Sequence, residues 1–307
     1  MYKVFIDGSA GTTGLKIVDR LSERKDIELI KLTEELRKDL TARKDALNSA
    51  DVAFLCLPDA AAIEAVSLIE NEKVKVIDTS TAHRVNPAWE YGFPELNGRR
   101  ERIANSKRIA NPGCHASGFI ALIEPLITNG ILDKNAYLTA FSITGYSGGG
   151  KKMIAEYQST ERPELFDAPR QYGLGQTHKH LPEMKAVCGI ENAPCFCPIV
   201  ADYDRGMEVT VPLFAKDIKG GINAVKDLYK SIYSGEIVKY VDGADESGFL
   251  SANKMRGKDG MEISVYGTDE RVILVSRFDN LGKGASGAAI QNMNILLGCD
   301  EKSGLVL

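Results

Sequence analysis

The stretch VFIDGSAGTTG, residues 4–14, decides the fold of the first part of the chain. Residues 4–6 are apolar and bulky, which is typical of a short buried strand. The glycines after them allow a tight turn, a close backbone approach to a pyrophosphate, and dense packing of a strand against a helix. Their spacing is G-x-x-G-x-x-G and not G-x-G-x-x-G, so an ordinary strand–helix turn stays open as the alternative. The dinucleotide-binding loop that we predict here consists of Gly8, Ala10, Gly11, Thr12, Thr13 and Gly14.

Strands and helices alternate from this loop to about residue 113. Leu15, Val18 and Leu21 recur at helical spacing directly after the loop. This alternation predicts a doubly wound, parallel, Rossmann-type sheet. Further strands are predicted at 27–32, 52–57, 74–78 and 108–110, and helices at 37–50 and 59–70.

The pattern changes after residue 114. A helix is expected at about 115–128, and several segments beyond it alternate between apolar and polar residues, as strands with one buried face do. They predict a second domain of the α+β class with a mixed, largely antiparallel sheet. These strands lie at 136–145, 207–214, 261–267 and 271–278, with helices at 222–234 and 284–298. The predicted domains are residues 1–113 with 284–307, which contain the dinucleotide-binding loop, and residues 114–283.

Composition excludes several classes of function. The net charge of −4 and the pI of about 5.7 give no general attraction to nucleic acid or anionic membranes. No apolar stretch reaches the ~18 residues of a membrane span, and MYKVFIDG indicates a first strand and not a signal peptide. The six cysteines are irregularly spaced, which favours reduced thiols in a cytoplasmic protein. Cys195 and Cys197 do not form Cys-x-x-Cys, so we expect core packing there and no metal site.

The residues after the second predicted strand bear on cofactor choice. NAD enzymes usually place an acidic side chain there for the ribose hydroxyls. Here Thr33 comes first, and the basic pair Arg37 and Lys38 follows soon after Glu34 and Glu35. Basic groups suit a 2′-phosphate, although the pair is equally compatible with a solvated helix start. We predict NADP as the cofactor.

The stretch NPGCHASG, residues 111–118, places Cys114 at the first turn of a predicted helix. The helix dipole and its free N–H groups favour a thiolate there, and the same N–H groups can hold an oxyanion. A buried core thiol is the alternative. A nucleophile also needs a base, and THKHLPEM, residues 177–184, offers His178 and His180. In an extended segment these two side chains share a face, whereas surface histidines are the other interpretation.

Two more polar stretches are candidates for ligand binding. Arg84, in DTSTAHR past the carboxyl end of a strand, has the fork geometry for a phosphate or carboxylate, or else makes a surface ion pair. SITGYSGGGKKM, residues 142–153, is either a phosphate-gripping loop or a flexible one, and it is not a P-loop. Asn280 and Lys283 lie just before the small residues of the last predicted helix.

Together these stretches resemble the shorter subgroup of the N-acetyl-γ-glutamyl-phosphate reductase family, over residues 7–292. The motifs STAHR, YGFPEL and HKHLPEM are specific to that family, whereas GKGASGAA and the cysteine turn are shared with aspartate-semialdehyde dehydrogenase. The matching pieces are DGSAGTTGLKI, CLPDAAA, DTSTAHR, YGFPEL, NPGCHASG, GYSGGGK, HKHLPEM and DNLGKGASGAAIQN.

The resemblance implies the third step of arginine biosynthesis, in which NADPH reduces N-acetylglutamyl 5-phosphate to the 5-semialdehyde. Cys114 would form a thioester, and His180, or else His178, would be the acid/base. Ser80 and Asn280 are expected at the cofactor. The residues expected at the substrate are Arg84, Asn111, Ser147, Gly148 and Lys151.

One position departs from the family pattern, and some questions stay open. The residue after the cysteine is usually aromatic, often Tyr, and here it is His115. It is a third candidate base, but a neighbour of a helical cysteine points away from it, so we expect a tolerated substitution. The alternatives are an aspartyl- or aminoadipyl-phosphate reductase, and an NADP-binding sensor without catalysis. The family also suggests a homodimer or homotetramer.

Overall fold

The computed structural model describes all 307 residues, which divide into two compact units. The first unit consists of Met1–Pro94, Gly98–Pro112 and Ala285–Leu305. The second consists of Glu95–Asn97, Gly113–Gly284 and Val306–Leu307. The functional domains that the sequence predicts, 1–113 with 284–307 and 114–283, stay predictions.

The first unit is built on a six-stranded sheet in which every neighbouring pair is parallel. The Rossmann-type prediction is therefore confirmed. All four residues of the central strand, VAFL, are buried, as expected for a sheet covered on both faces. The strand order is β2-β1-β3-β4-β6-β5. The strands are β1 (Tyr2–Asp7), β2 (Ile27–Ile30), β3 (Val52–Leu55), β4 (Lys75–Asp78), β5 (Glu90–Tyr91) and β6 (Arg108–Ala110).

Helices pack their apolar side chains on both faces of this sheet. One core joins Phe54 to Ile17 and Met293, and the other joins Leu55 to Leu47 and Ala62. Phe54 and Leu55 are neighbours in one strand but belong to different cores, because successive side chains of a strand point to opposite faces of the sheet. The helices are α1 (Thr12–Leu21), α2 (Leu40–Ser49), α3 (Asp59–Ser67), α4 (Arg99–Asn105) and the last helix of the chain, α9 (Gly287–Leu297).

Three helix predictions for this unit need correction. The helix predicted from residue 37 begins at Leu40, because the Asp39 carboxylate accepts the Ala42 N–H at 2.8 Å and caps it. The helix predicted to reach residue 70 ends at Ser67. The helix predicted from residue 284 begins at Gly287, after a π-helical turn over Gly282–Ser286.

The second unit contains a seven-stranded sheet of order β11-β12-β13-β10-β7-β9-β8. Four of its neighbouring pairs are antiparallel and two are parallel, which confirms the mixed, largely antiparallel prediction. Residues 195–198, predicted as core packing, lie in a strand with Phe196 buried but Cys195 exposed. The strands are β7 (Thr139–Gly145), β8 (Arg170–Gln171), β9 (Cys195–Ala201), β10 (Met207–Phe214), β11 (Val238–Tyr240), β12 (Met261–Gly267) and β13 (Arg271–Phe278).

A long apolar helix covers one face of this second sheet. This helix, α5, runs against β10 and β13 and beside α7. Tyr233, directly after α8, donates to the Ala121 carbonyl of α5 at 2.6 Å, and Tyr229 of α8 donates to the Leu122 carbonyl. The helices of the unit are α5 (Cys114–Thr128), α6 (Gly150–Gln158), α7 (Leu181–Cys188) and α8 (Gly221–Ile232).

The stretch 142–153, predicted as a loop, has regular structure instead. Strand β7 runs to Gly145, a 3-10 turn spans Tyr146–Gly149, and α6 starts at Gly150. Across the chain, no helix combines the length and the apolar character that crossing a bilayer requires.

Candidate active site

A cleft of about 1040 Å³ lies in the first unit, over the glycine-rich loop. Backbone of Gly8 and Ala10 forms one wall, and Leu32 with Leu57 forms an apolar one. Leu15, one of the apolar residues at helical spacing after the loop, is 43% exposed and lines this cleft. The cleft has the volume typical of a small-molecule site.

The loop is shaped as a phosphate cradle. Gly8 has a φ of +85°, and a Cβ there would lie 2.2 Å from the Cys56 carbonyl oxygen, so only glycine fits. Helix α1 starts at Thr12, and no side chain caps it. Its first N–H groups therefore point to the loop as donors for an anion.

The rim of the cleft carries positive charge. Arg37 and Lys38, in a 3-10 turn over Leu36–Lys38, both line it, and Arg37 is bonded to Glu34. At its floor, Arg43 donates to the Asp7 carboxylate from Nε at 3.1 Å and from Nη2 at 3.0 Å. Burial raises the pKa of Asp7, and Arg43 opposes that rise. The cradle, the apolar walls and the basic rim together fit a dinucleotide with a 2′-phosphate.

The other residues predicted in the first unit are held by internal hydrogen bonds. Ser80 donates to Asp78 at 2.7 Å. Arg84 donates from Nε to the Asn111 carbonyl and from Nη2 to the Thr79 carbonyl, both at 3.1 Å. The buried Asn111 donates to the Ala285 carbonyl at 3.1 Å. These residues follow β4 and β6, at the edge of a parallel sheet where ligands bind.

In the second unit, Cys114 is the first residue of α5 and is partly exposed. The first helical hydrogen bond runs from the Ser117 N–H to the Gly113 carbonyl at 2.8 Å. The backbone N–H groups before Ser117 therefore lie in the first turn, beside the thiol, where they favour a thiolate. Gly284 passes close to the cysteine side chain, because a Cβ on it would lie only 3.0 Å from the Cys114 Cβ. Partial exposure at a helix start is the environment of a reactive thiol and not of a core one.

The two predicted histidines lie together in the second unit. Their ring centroids are 4.7 Å apart, and His180 is only 4% exposed, so the surface interpretation is wrong for it. The two rings are not brought together by an extended segment. His180 has helical backbone angles, φ −87° and ψ −13°, because it directly precedes α7.

A buried carboxylate that the sequence analysis missed joins the cysteine turn to the histidines. Glu183 accepts the Gly113 N–H at 3.1 Å, and its other oxygen lies 3.9 Å from His180 Nε2. Both side chains of this ion pair are buried. The spacing of His180 and Glu183, three residues apart at a helix start, was a signal that places both on one face.

His115, expected to be a tolerated substitution that points away from Cys114, lies in the same cluster as the two predicted histidines. Its ring centroid lies 5.5 Å from that of His178 and 5.6 Å from that of His180. Its Nδ1 lies 2.6 Å from Ser142 Oγ and its Nε2 lies 2.7 Å from Tyr172 Oη. Burial lowers the pKa of His115 to about 3, so this imidazole is neutral and unsuited to be the acid/base at physiological pH.

The remaining predicted residues meet around Asn280. This buried amide donates to Ser147 Oγ at 3.1 Å and accepts the Gly206 N–H at 2.9 Å. Gly148 lies next to the amide nitrogen. Lys151, in the first turn of α6, is exposed. The structure thus brings Asn280, Ser147 and Gly148 together. Lys151 follows Ser147 and Gly148 in the chain and is exposed.

Comparison with known proteins matches both parts of the chain. Residues 3–106 match the semialdehyde dehydrogenase NAD-binding domain, and residues 114–280 match the semialdehyde dehydrogenase dimerisation domain. The chain is 45% identical to N-acetyl-γ-glutamyl-phosphate reductase 2 of Nostoc sp., over 99% of each chain. It is 46% identical to the N-acetyl-γ-glutamyl-phosphate reductase of Brucella anthropi, over 96% of this chain and 98% of that one.

Solved structures share the fold at lower identity. The aspartate semialdehyde dehydrogenase of Francisella tularensis has a TM-score of 0.72 at 16% identity, covering 97% of this chain and all of that one. The Candida albicans enzyme, solved with NADP, has a TM-score of 0.68 at 18% identity over 99% of both chains. The chain belongs to the semialdehyde dehydrogenase family and, within it, to the N-acetyl-γ-glutamyl-phosphate reductases.

Proposed function

We propose that this chain reduces N-acetyl-L-glutamyl 5-phosphate to N-acetyl-L-glutamate 5-semialdehyde with NADPH, releasing phosphate, as the third step of arginine biosynthesis. The observation that carries the proposal is identity of about 45% along almost the whole chain to reductases of that name. The thiol at a helix start, and the two histidines that lie together in the same unit, are the groups that this chemistry needs.

Cys114 is the nucleophile in this mechanism. Its thiolate attacks the acyl-phosphate carbonyl, a C–S bond forms, and the C–O bond to phosphate breaks with the electron pair leaving on phosphate. The negative charge on the carbonyl oxygen is stabilised by backbone N–H groups in the first turn of α5. The product of this half-reaction is a thioester on Cys114.

His180 serves as the acid/base, and Glu183 orients it. Glu183 Oε1 lies 3.9 Å from His180 Nε2, so the carboxylate faces the imidazole and favours its protonated form. The histidine donates a proton to the oxygen that hydride addition makes negative, which gives a thiohemiacetal, and it accepts that proton back while the thiohemiacetal collapses to the aldehyde and the Cys114 thiolate. His178 stands 4.7 Å away, ring centre to ring centre, and is the other candidate for this role.

The glycine loop, the start of α1, and Arg37 with Lys38 would hold NADP in the first unit. When bound, the reduced cofactor supplies the hydride for the thioester. The loop N–H groups bind the pyrophosphate, and the basic pair favours the 2′-phosphate. Ser80 and Asn280 are proposed at the cofactor, while the proposed substrate residues are Arg84, Asn111, Ser147, Gly148 and Lys151.

A homodimer or homotetramer, in the cytoplasm, completes the proposal. The face of the mixed sheet opposite α5 exposes apolar side chains such as Phe141 and Ile273. Both lie in the matched dimerisation domain, on one face by the register of β7, β10 and β13. An exposed apolar sheet face of this kind fits an interface between copies.

The reverse reaction tests the proposal. Purified protein is given N-acetylglutamate 5-semialdehyde, NADP and phosphate, and NADPH is followed at its absorbance band, beside parallel assays with aspartate semialdehyde and with NAD. We expect turnover that requires phosphate and strongly prefers the acetylated substrate and NADP. Turnover with aspartate semialdehyde alone would overturn the substrate assignment, and NADP binding without turnover of either would indicate a sensor.

A further inference from the structure

A fully buried aspartate, Asp279, directly follows strand β13 and opens the turn that leads to the last helix. Its Oδ1 accepts the Leu281 N–H at 2.8 Å and the Gly282 N–H at 3.2 Å. Its main-chain carbonyl accepts the N–H groups of Gly282 and Gly284, each at 3.0 Å. An aspartate that binds the backbone after it in this way fixes the course of a turn, so the segment 281–284 is shaped by this one residue.

The second oxygen of this carboxylate holds another part of the same unit. Asp279 Oδ2 accepts the Gly257 N–H at 2.5 Å and lies 3.7 Å from Arg205 Nη1. A buried carboxylate is costly unless hydrogen-bond donors and an opposite charge compensate it, and these two groups supply both. Gly282 shows how closely the two segments approach, because a Cβ on it would lie 2.1 Å from the Lys258 carbonyl oxygen. Both oxygens of Asp279 are therefore engaged, and they tie the turn to a neighbouring loop.

The turn packs on the proposed nucleophile through Gly284. A Cβ on Gly284 would lie 3.0 Å from the Cys114 Cβ, and 3.2 Å from both the Asp279 carbonyl oxygen and Phe278 Cε2. Since a Cα–Cβ bond is about 1.5 Å long, the Gly284 Cα itself lies within about 4.5 Å of the Cys114 Cβ, which is contact distance. Close-packed interiors transmit small displacements, so the position of this turn limits where the Cys114 side chain can lie.

We infer that Asp279 is a positioning residue that keeps Gly284 against Cys114 and so aligns the thiol for attack. The inference rests on the proposed function, since it concerns the same nucleophile. Reacting atoms must be held in a narrow geometry, and a misplacement of about 1 Å costs about a hundredfold in rate. The N–H groups at the start of α5 favour the thiolate, so Asp279 acts on the alignment of the sulfur and not on its intrinsic reactivity.

Two variants disturb the two ends of this arrangement, and a third is their control. Asp279→Asn keeps one oxygen but replaces the other with an NH2 group, so either the turn or Gly257 loses its acceptor. Gly284→Ala adds a methyl group 3.0 Å from the Cys114 Cβ, and Gly284 has no positive φ that an alanine would resist. Val225→Ala, in α8 of the same unit, removes buried methyl groups from another element and is the matched control for lost packing.

Turnover is compared with the chemical reactivity of the thiol. We measure kcat and KM in the reverse assay, and we follow iodoacetamide alkylation at pH 7 separately on the Cys114 and Cys188 peptides by mass spectrometry. Asp279→Asn and Gly284→Ala should each lower kcat about tenfold with KM within about twofold of wild type, whereas Val225→Ala should keep kcat within about twofold. Alkylation of Cys114 should stay within about threefold of wild type, because the start of α5 still favours its ionisation. Cys188, which is 3% exposed in the same unit, should stay protected because the unit remains folded.

A kcat within about twofold of wild type in both variants would overturn the inference, as would a fall in kcat accompanied by rapid alkylation of Cys188, which would assign the loss to unfolding. If Asp279→Asn fails to fold, Gly284→Ala decides the matter alone. Exchange of amide hydrogens in a peptide spanning 279–285 needs no substrate and should be at least about tenfold faster in Asp279→Asn; an unchanged rate would also overturn the inference. A wild-type protein inactive on the acetylated aldehyde would defeat the proposed function, while the exchange rate still tests the hold of Asp279 on the turn.

Discussion

Gly8→Ala should destabilise the first unit and weaken cofactor binding together. Gly8 has a φ of +85°, which costs an alanine about 1 kcal/mol. The added Cβ would also lie 2.2 Å from the Cys56 carbonyl oxygen, whereas such a contact normally needs about 3.3 Å. The loop must therefore move by about 1 Å, and the hydrogen bond from the Cys56 N–H to the Asp7 carbonyl, at 2.8 Å, opposes that movement. Overpacking of this kind costs about 2 kcal/mol. The expected loss is about 3 kcal/mol.

Urea unfolding followed by tryptophan fluorescence measures this loss, because the single tryptophan, Trp89, lies in the first unit. Gly98→Ala is the matched control: its φ is +68°, but nothing lies within 4 Å of a Cβ there. The control should lose about 1 kcal/mol and bind NADPH as wild type does. Gly8→Ala should bind NADPH at least about tenfold more weakly, a difference of about 1.4 kcal/mol. Equal losses of stability in the two variants would refute the close-approach reasoning.

Three further changes probe the site and its support. Cys114→Ser should reduce kcat at least about a thousandfold with NADPH binding intact, measured by steady-state rates and by titration; near-wild-type turnover would exclude the thioester. Glu183→Gln keeps the acceptor for Gly113 but loses the charge facing His180, so kcat/KM should fall about tenfold, and an unchanged pH–rate profile would count against that role. Arg43→Met should cost about 3 kcal/mol at pH 7. Burial raises the folded-state pKa of Asp7 above its unfolded value, so without Arg43 the buried carboxyl lowers the free energy of unfolding as pH rises and it ionises. The difference in unfolding free energy between the variant and wild type should therefore be smaller at pH 4.5 than at pH 7.

The main features of the fold are predictable because they follow from periodicity. A fully apolar strand such as VAFL, flanked by a glycine loop and helical repeats, has few alternatives to a central parallel strand. Helix starts were less predictable, since they depend on single capping contacts. Residues 37–39 have helical composition, yet the Asp39 carboxylate fixes the start at Leu40. Likewise, the glycines at 148–150 suggest mobility, but the chain passes through them from a 3-10 turn into a helix.

Predicting the site required distances between residues far apart in the chain. The cysteine turn and the HKHLPEM segment each indicated reactive groups, but nothing local shows that Glu183 accepts the Gly113 N–H across 70 residues. His115 shows the same limit. In a helix the side chain of His115 points away from that of its neighbour Cys114. Helical geometry alone does not show that the His115 ring then lies beside those of His178 and His180.

Glu183 presents an apparent conflict, because a buried carboxylate beside a nucleophilic thiol should oppose its ionisation. It also accepts the Gly113 N–H, one of the donors at the start of α5 that would otherwise favour a thiolate. The conflict is resolved by the second oxygen, which faces His180 Nε2 at 3.9 Å. When that imidazole is protonated, its positive charge compensates the carboxylate, and the thiolate of Cys114 lies near a pair that is neutral overall. On the proposed mechanism, ionisation of the cysteine and protonation of the histidine therefore favour each other through Glu183, and the imidazolium is in place to protonate the oxygen that hydride addition to the thioester makes negative.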